Sequence, residues 1–293
     1  MDTSPIFEKE FLEDCHIKEI ETVEKFQSRK NQVFKVKCIF KKSPVKTTHD
    51  SFLVFKKYLG QGAGKRKVNE SLLLSGLGSF LNGKSRQERV CVPGLFYEGS
   101  DYIITEYIAG GTLLDRFSIY ESEALKNGNS KIISKSSSSV SGDENNAGFI
   151  FDFCLEYFKA CTDLVFSFHE ISKKIFGQAL IFNDMNLRNF IIKDEPQPAG
   201  KIFRVDLEDC KAGFIEEDLG KLIIFILSYD PILTEWKIKL SESLMEYILS
   251  GRSVNKDLLY NEAIKELDAM SIRRNIDDFT KNKLRDVFDL LFQ

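Results

Sequence analysis

The stretch "FNDMNLRNFII", residues 182–192, sets an acid, three asparagines and an arginine between apolar runs. "ALIF" (179–182) leads into it and "FII" (190–192) closes it. Asn and Asp favour turns because their side chains bond the nearby backbone, so an ordinary surface turn is one reading. The sharper reading is that two short strands pin a loop whose polar residues carry chemistry. A second apolar run ends the same way, with "IFRV" (202–205) followed by Asp206. Two carboxylates closing two short neighbouring strands can face one cleft. With Asn189, five residues after Asp184, they form a set of hard oxygen ligands. Such a set suits Mg²⁺, which keeps waters and shares substrate phosphates.

Phosphoryl transfer needs more than metal ligands. A lysine must hold phosphate oxygens, an acid must fix that lysine, and a carboxylate must orient the attacking hydroxyl. Lys56 in "LVFKKY", Glu70 in "KVNESLLL", Asp184, Asn189 and Asp206 supply these types in chain order. Taken singly, each has a plain explanation as a solvated lysine, a solvated helix position or a turn-capping acid.

The surrounding chain has a β-rich front and a helical back. Residues 17–58 read as a three-stranded antiparallel meander, with "QVFKVKCIF" alternating Val33, Val36 and Cys38 with Lys35 and Lys37. From Lys65 the pattern predicts a helix with Val68, Leu72, Leu73 and Leu77 on its apolar face. "GLFYEG" and "YIITEYI" predict two further strands. The Ser/Asn/Gly-rich "SKSSSSVSGDENNAG" (134–148) cannot bury a core and reads as a mobile insertion in a connection between two lobes. After it, Cys154, Tyr157, Phe158, Cys161, Leu164, Val165, Phe168 and Ile171 follow the spacing of a buried helix face. Residues 216–293 read as mostly amphipathic helix.

Bulk composition narrows the class. The chain has 293 residues, 43% hydrophobic and 29% charged, with a net charge of −3. That excludes a global attraction to nucleic acid or anionic membrane. The six cysteines form no CxxC pair, and the three histidines, His16, His49 and His169, have no metal spacing. The N-terminus is acidic and does not read as a signal peptide, and "LIIFILSY" is too short to span a bilayer. The expectation is a cytoplasmic protein with no membrane partner. "GQGAGKR" (60–66) falls one residue short of a phosphate loop and has Arg66 where Ser or Thr would bind the metal; it reads as a flexible lead-in to the helix bearing Glu70.

The ordered set of motifs resembles the protein-kinase-like superfamily, in its aminoglycoside phosphotransferase and small-molecule kinase branch, over roughly residues 20–231. The resemblance implies an α+β bilobal protein-kinase-like fold, with an antiparallel β-sheet and one helix in the N-lobe and a mainly helical C-lobe. Its divisions would be a nucleotide-binding N-lobe at 1–108, a linker with the low-complexity insertion at 109–148, and a C-lobe at 149–293 holding the catalytic loop and acceptor site. It implies ATP and Mg²⁺ as cofactors, Asp184 as the catalytic residue, and Asn189 and Asp206 as metal ligands. Lys56 and Glu70 would pair behind the nucleotide. Thr105 would flank the adenine, and residues 106–108, with Glu106 and Ile108, would offer backbone hydrogen bonds. "EEDLGKL" resembles the segment in which Asp218 braces the catalytic loop.

Three departures stand out. Phe182 occupies the position usually held by His, so packing must replace a hydrogen bond. "FQSRKNQVFKV" has no glycine in the phosphate-covering turn, leaving Ser28 and Asn31 to cap phosphates. Glu208 replaces the glycine after the metal Asp, and no activation-loop motif follows. The expected activity is ATP-dependent transfer of the γ-phosphate to a hydroxyl of a small molecule. The alternatives are a protein or RNA kinase or regulatory ATPase, hinted at by the basic runs "KRK" (65–67) and "SIRRN" (271–275), and a pseudokinase scaffold.

Overall fold

The computed structural model describes residues 12, 13, 15, 17–40, 51–81, 91–126, 144–193 and 201–293. The loop "KKSPVKTTHD" and residues 134–143 of the serine-rich stretch lie outside them, while 144–148, expected within the insertion, already belong to a helix. Two compact units emerge, Met1–Ala109 with Val205–Asp209, and Gly110–Arg204 with Cys210–Gln293.

The first unit holds β1 (Ile17–Phe26), β2 (Asn31–Phe40), β3 (Ser51–Tyr58), α1 (Ala63–Leu81), β4 (Leu95–Glu98) and β5 (Tyr102–Glu106). The strands form one antiparallel sheet in the order β1-β2-β3-β5-β4. Alternation drives it: Phe34, Val36 and Cys38 turn one way along β2 and bury against Ile17, Leu53, Phe55, Tyr102 and Ile104. Phe34, rather than Val33, therefore begins the core face of β2. On the central strand β3, Lys56 lies opposite Val33 of β2 and Ile103 of β5.

Helix α1 differs from expectation in two respects. The glycine-rich run is no loose lead-in: Gly60 and Gly62 turn the chain with φ of +73° and +74°, and the helix has begun by Ala63. Arg66 closes that turn, donating to the Leu59 and Gln61 carbonyl oxygens at 2.8 Å each. The buried stripe is Glu70, Leu73, Leu74 and Leu77, while Val68 and Leu72 are exposed. Burying Glu70 rotates the helix by one residue from the purely apolar reading.

The second unit holds β6 (Gly110–Thr112), α2 (Leu113–Lys126), α3 (Glu144–Phe176), β7 (Leu180–Ile181), β8 (Phe190–Lys193), β9 (Ile202–Arg204), β10 (Lys211–Ala212), α4 (Ile215–Ser228), α5 (Glu235–Leu249), α6 (Lys256–Arg274) and α7 (Asp278–Leu291). A small sheet runs β6-β8-β9, and β7 pairs with β10. Segment 113–126, expected within a linker, is a helix that buries Leu113, Leu114, Phe117, Glu121 and Ala124. That spacing was present in the sequence but was masked by the polar stretch after it.

Helix α3 buries Cys154, Phe158, Cys161, Val165 and Phe168 as its period demands. Helix α4 is buried along nearly its whole length, and Gly220 lets α6 approach closely: a Cβ there would meet the Ala263 nitrogen at 2.8 Å. The architecture is α+β, as the resemblance implied, with a five-stranded antiparallel sheet and the helix α1 among the described residues of the first unit, followed by a mainly helical unit. Among the described residues, no helix is long and apolar enough to cross a membrane.

Candidate active site

In the first unit the candidate residues gather around one ammonium. Lys56 Nζ lies 2.6 Å from Glu70 Oε2, 2.5 Å from Asp206 Oδ1 and 3.1 Å from Glu208 Oε2. Strand β3 and helix α1, joined by the tight glycine turn, aim the lysine and Glu70 at each other. Tyr58 donates to the same Glu70 oxygen at 2.6 Å, and the Leu207 N–H donates to its other oxygen at 3.2 Å. Glu70 is thereby fixed at both oxygens and ties α1 to the segment carrying Asp206.

The three carboxylates Glu70, Asp206 and Glu208 place oxygens within 4.8 Å of one another. Lys56 meets all three, and Arg66 Nε lies 3.4 Å from Glu208 Oε1. Burial works against the charged Lys56, but Glu70, Asp206 and Glu208 overcome it and hold its pKa above the usual lysine value. Burial pushes the Glu208 carboxyl up; Lys56 opposes that rise and Asp206 adds to it. The side chains of Glu70 and Glu208 are 5% and 3% exposed, against 38% for Asp206. Asp206 is thus the acid of this cluster that can meet a ligand from solution. Its backbone is left-handed, with φ +64°, a conformation Asp tolerates better than most residues.

Glu208 is the residue sequence reasoning passed over, having registered only as a missing glycine. It accepts from Asn31 Nδ2 at 2.6 Å, and its carbonyl oxygen accepts from Asn69 Nδ2 at 2.9 Å. The turn residue Asn31 is therefore bound to the segment carrying Asp206, and Lys30 is bound beside it to Asp209 at 2.8 Å. Ser28 Oγ accepts from the Asn31 N–H at 3.2 Å and shapes that turn. The signal available was the i, i+2 spacing of Asp206 and Glu208.

The expected adenine-side residues sit at the end of β5. Thr105 and Ile108 are buried and Glu106 is exposed. The Glu106 N–H is donated to the Gly94 carbonyl oxygen at 2.8 Å, so that N–H does not serve a ligand.

In the second unit the loop after β7 has nearly all its backbone tied down. Asp218, on α4, accepts from the N–H groups of Phe182 (2.7 Å) and Asn183 (2.9 Å). Lys221, one turn on, donates to both the main-chain and side-chain oxygens of Asn183 at 2.9 and 2.7 Å. Arg204 Nη2 donates to the Asp184 carbonyl oxygen at 2.6 Å. Asn183 takes a left-handed φ of +66° to make this path. Burial raises the Asp218 pKa, opposed by its two N–H donors, Lys221 and Arg204.

The Asp184 carboxylate is itself held. One oxygen accepts from the Asn186 N–H and the other from Asn189 Nδ2, both at 3.1 Å. Asn189 turns its amide nitrogen toward Asp184, so its Oδ1 is the end fit for a cation. Asn186 in turn accepts from the Arg188 N–H at 3.1 Å and from the Tyr229 hydroxyl at 3.0 Å.

Phe182 is fully buried, stacked on Phe168 with centroids 4.1 Å apart and edge-on to Phe190. Packing and the Asp218 bond to its N–H hold this position where a histidine was expected. Replacing Phe182 with Leu keeps the position apolar but gives up some volume and the ring contacts. The variant should lose about 1–3 kcal/mol, read as a lower urea midpoint at unchanged slope; an unchanged midpoint would show the stack to be incidental.

The two basic runs have local partners. Lys67 pairs with Glu98 at 2.5 Å, and Arg66 is turned onto Leu59, Gln61 and Glu208. Arg273 pairs with Glu266, and Arg274 caps α4 at Ser228. Four of the five basic side chains thus have partners within the protein, although Lys65, Arg273 and Arg274 lie at the surface.

No family model matches the chain, and no curated protein matches it in sequence. Similar solved structures include choline kinase LicA from Streptococcus pneumoniae, at 15% identity and a TM-score of 0.43 over 96% of this chain and 88% of that one. An ethanolamine kinase from Plasmodium vivax is similar at 11% identity and a TM-score of 0.45, over 96% and 85% of the two chains. Similarity this distant says nothing of substrate.

Proposed function

We propose that this chain is an ATP-dependent phosphotransferase that moves the γ-phosphate to a hydroxyl of a small molecule, assisted by Mg²⁺. The observation that carries the reading is Lys56, buried on β3 and clamped at 2.6 and 2.5 Å by a helix acid and by the more exposed Asp206. A structural ion pair needs no third, solvent-facing carboxylate; a phosphate-binding lysine beside a metal ligand does. Lys56 holds phosphate oxygens and Glu70 fixes it there. Thr105, Glu106 and Ile108 are assigned to the adenine side, and Ser28 and Asn31 to the phosphate-covering turn.

The donor set fits a hard divalent cation, being carboxylate and amide oxygen with no soft ligand. Asn189 and Asp206 would hold Mg²⁺, which when bound supplies charge neutralisation on the phosphoryl oxygens. Asp184 orients the acceptor hydroxyl and takes its proton as the new O–P bond forms and the bond to ADP breaks. Its carboxylate is kept in place by Asn186 and Asn189. Both the strand lysine and the metal Asp are retained, which favours an enzyme over a scaffold, and the internal ties of the basic runs leave no observation favouring an RNA acceptor.

The test is an ATP-consumption screen across sugars, amino alcohols, aminoglycosides, peptides and tRNA, run beside Asp184→Asn. A small hydroxyl compound should stimulate turnover in the wild type, and Asp184→Asn should reduce it roughly a hundredfold or more with the fold intact. Equal turnover by the two proteins would remove Asp184 from the chemistry. Stimulation by peptide or tRNA alone would overturn the choice of acceptor.

A further inference from the structure

We infer that Arg204 is a positioning residue for Asp184, built into the fold to fix the catalytic loop from behind. The inference rests on the phosphotransferase reading for its kinetic consequence, though not for its structural one. Arg204 lies on β9, directly across from Phe190 of β8, and is completely buried. Its guanidinium sits over the rings of Phe182 and Phe190, 5.0 and 4.9 Å from their centroids. Nη2 donates to the main-chain carbonyl oxygen of Asp184 at 2.6 Å. Nε and Nη1 are buried with no hydrogen-bond partner among the described residues.

Stability alone does not explain this arginine. A buried guanidinium carries a large desolvation cost, and replacing such a group with a well-packed apolar side chain is often neutral or stabilising. A methionine would fill the slot between the two rings without orphaning any donor. What it would not do is reach the Asp184 carbonyl.

The carbonyl belongs to the one residue whose carboxylate must be correctly placed, and the peptide before it carries the left-handed Asn183. A strained backbone persists only when its surroundings over-determine it. Asp218 takes the N–H groups on one side of that strain, and Arg204 takes the carbonyl on the other. The planar guanidinium is suited to this because it can lie against aromatic faces and donate at its edge at once. The residue that replaces the expected histidine, Phe182, is one of the two rings on which Arg204 rests, so the two residues form one device.

The test uses Arg204→Met and Arg204→Lys in the full chain. Hydrogen exchange needs no acceptor. In Arg204→Met the amides of residues 184–189 should exchange roughly tenfold faster or more, with those of α4 and α5 unchanged. With an acceptor in hand, kcat should fall about ten- to hundredfold while KM for ATP stays within about twofold. Arg204→Lys, which keeps the charge and a donor, should lie between wild type and Arg204→Met in both measurements, and it decides the matter should the methionine variant fail to fold. Unchanged loop exchange, or exchange raised uniformly across the protein, would overturn the inference. Should the wild type turn over no acceptor, a local rise in loop exchange still supports Arg204 as the loop's anchor while the phosphotransferase reading fails separately.

Discussion

Lys56→Met is expected to destabilise the protein by about 3–5 kcal/mol at neutral pH, the cost of removing one partner from a buried charge cluster. Methionine matches the length of the side chain and suits the flanking apolar positions of β3, so lost packing is small. What it removes is the positive charge that meets all three of Glu70, Asp206 and Glu208, whose oxygens sit within 4.8 Å of one another, leaving Arg66 at 3.4 Å from Glu208 alone. Glu70 and Glu208 are buried and cannot turn to water. The Tyr58 hydroxyl and the Leu207 N–H still serve Glu70, but they carry no charge.

The pH dependence follows from the direction of each shift. In the wild type, Lys56 titrates above the usual 10.5, so its contribution is fully present below that value and is lost only as pH rises through the higher folded-state pKa. Glu208 is raised above 4.5, so between that value and its folded pKa the folded state binds more protons, and stability falls as pH rises. Removing Lys56 takes away an influence that lowers the Glu208 pKa, pushing that window toward neutrality. The stability gap between wild type and Lys56→Met should therefore narrow steadily as pH drops from 8 toward 5. Urea unfolding at several pH values measures it. A gap independent of pH would mean that the carboxylates do not depend on the ammonium.

The same cluster shows what a sequence can and cannot announce. Lys56 and Glu70 were legible because a strand–turn–helix of fixed length brings those two positions together whatever the loops do. Apolar residues alone do not give the phase of α1: the buried Glu70, once paired, selects a face one residue round from Val68 and Leu72. Glu208 was not legible, since nothing in "VDLED" says which acid turns inward; the left-handed backbone at Asp206 decides that. Arg204 was legible in principle. Strand alternation puts it on the same face as the buried Ile202, although a charged side chain is rarely buried without a paired anion. The spacing of Asp184 and Asn189 is plain in the sequence, but the charges that hold their loop, Asp218 and Lys221 on α4 and Arg204 on β9, come from two separate elements and meet only in the folded chain.

Asp218→Ala is the complementary test in the second unit, and about 3–5 kcal/mol of stability should be lost. The carboxylate is 1% exposed and accepts from the N–H groups of Phe182 and Asn183. Alanine leaves both donors without an acceptor, in a place where Phe182 admits no water. It also strips Lys221 and the buried Arg204 of a nearby anion. Asp218→Asn should recover little, because its amide nitrogen would face one of the same N–H groups. Since burial raises the Asp218 pKa, the wild type gains from its protonated form in acid, and the difference between wild type and Asp218→Ala should persist below the usual carboxylate value of 3.8 rather than vanish there. The loop should loosen along with the loss of stability: with its N–H side released, Asn183 has no reason to keep a φ of +66°, and the Asp184 carboxylate moves with it. Turnover should therefore fall by more than the unfolded fraction accounts for. A stable Asp218→Ala protein with wild-type loop protection would show that Arg204 and Lys221 suffice to hold the loop alone.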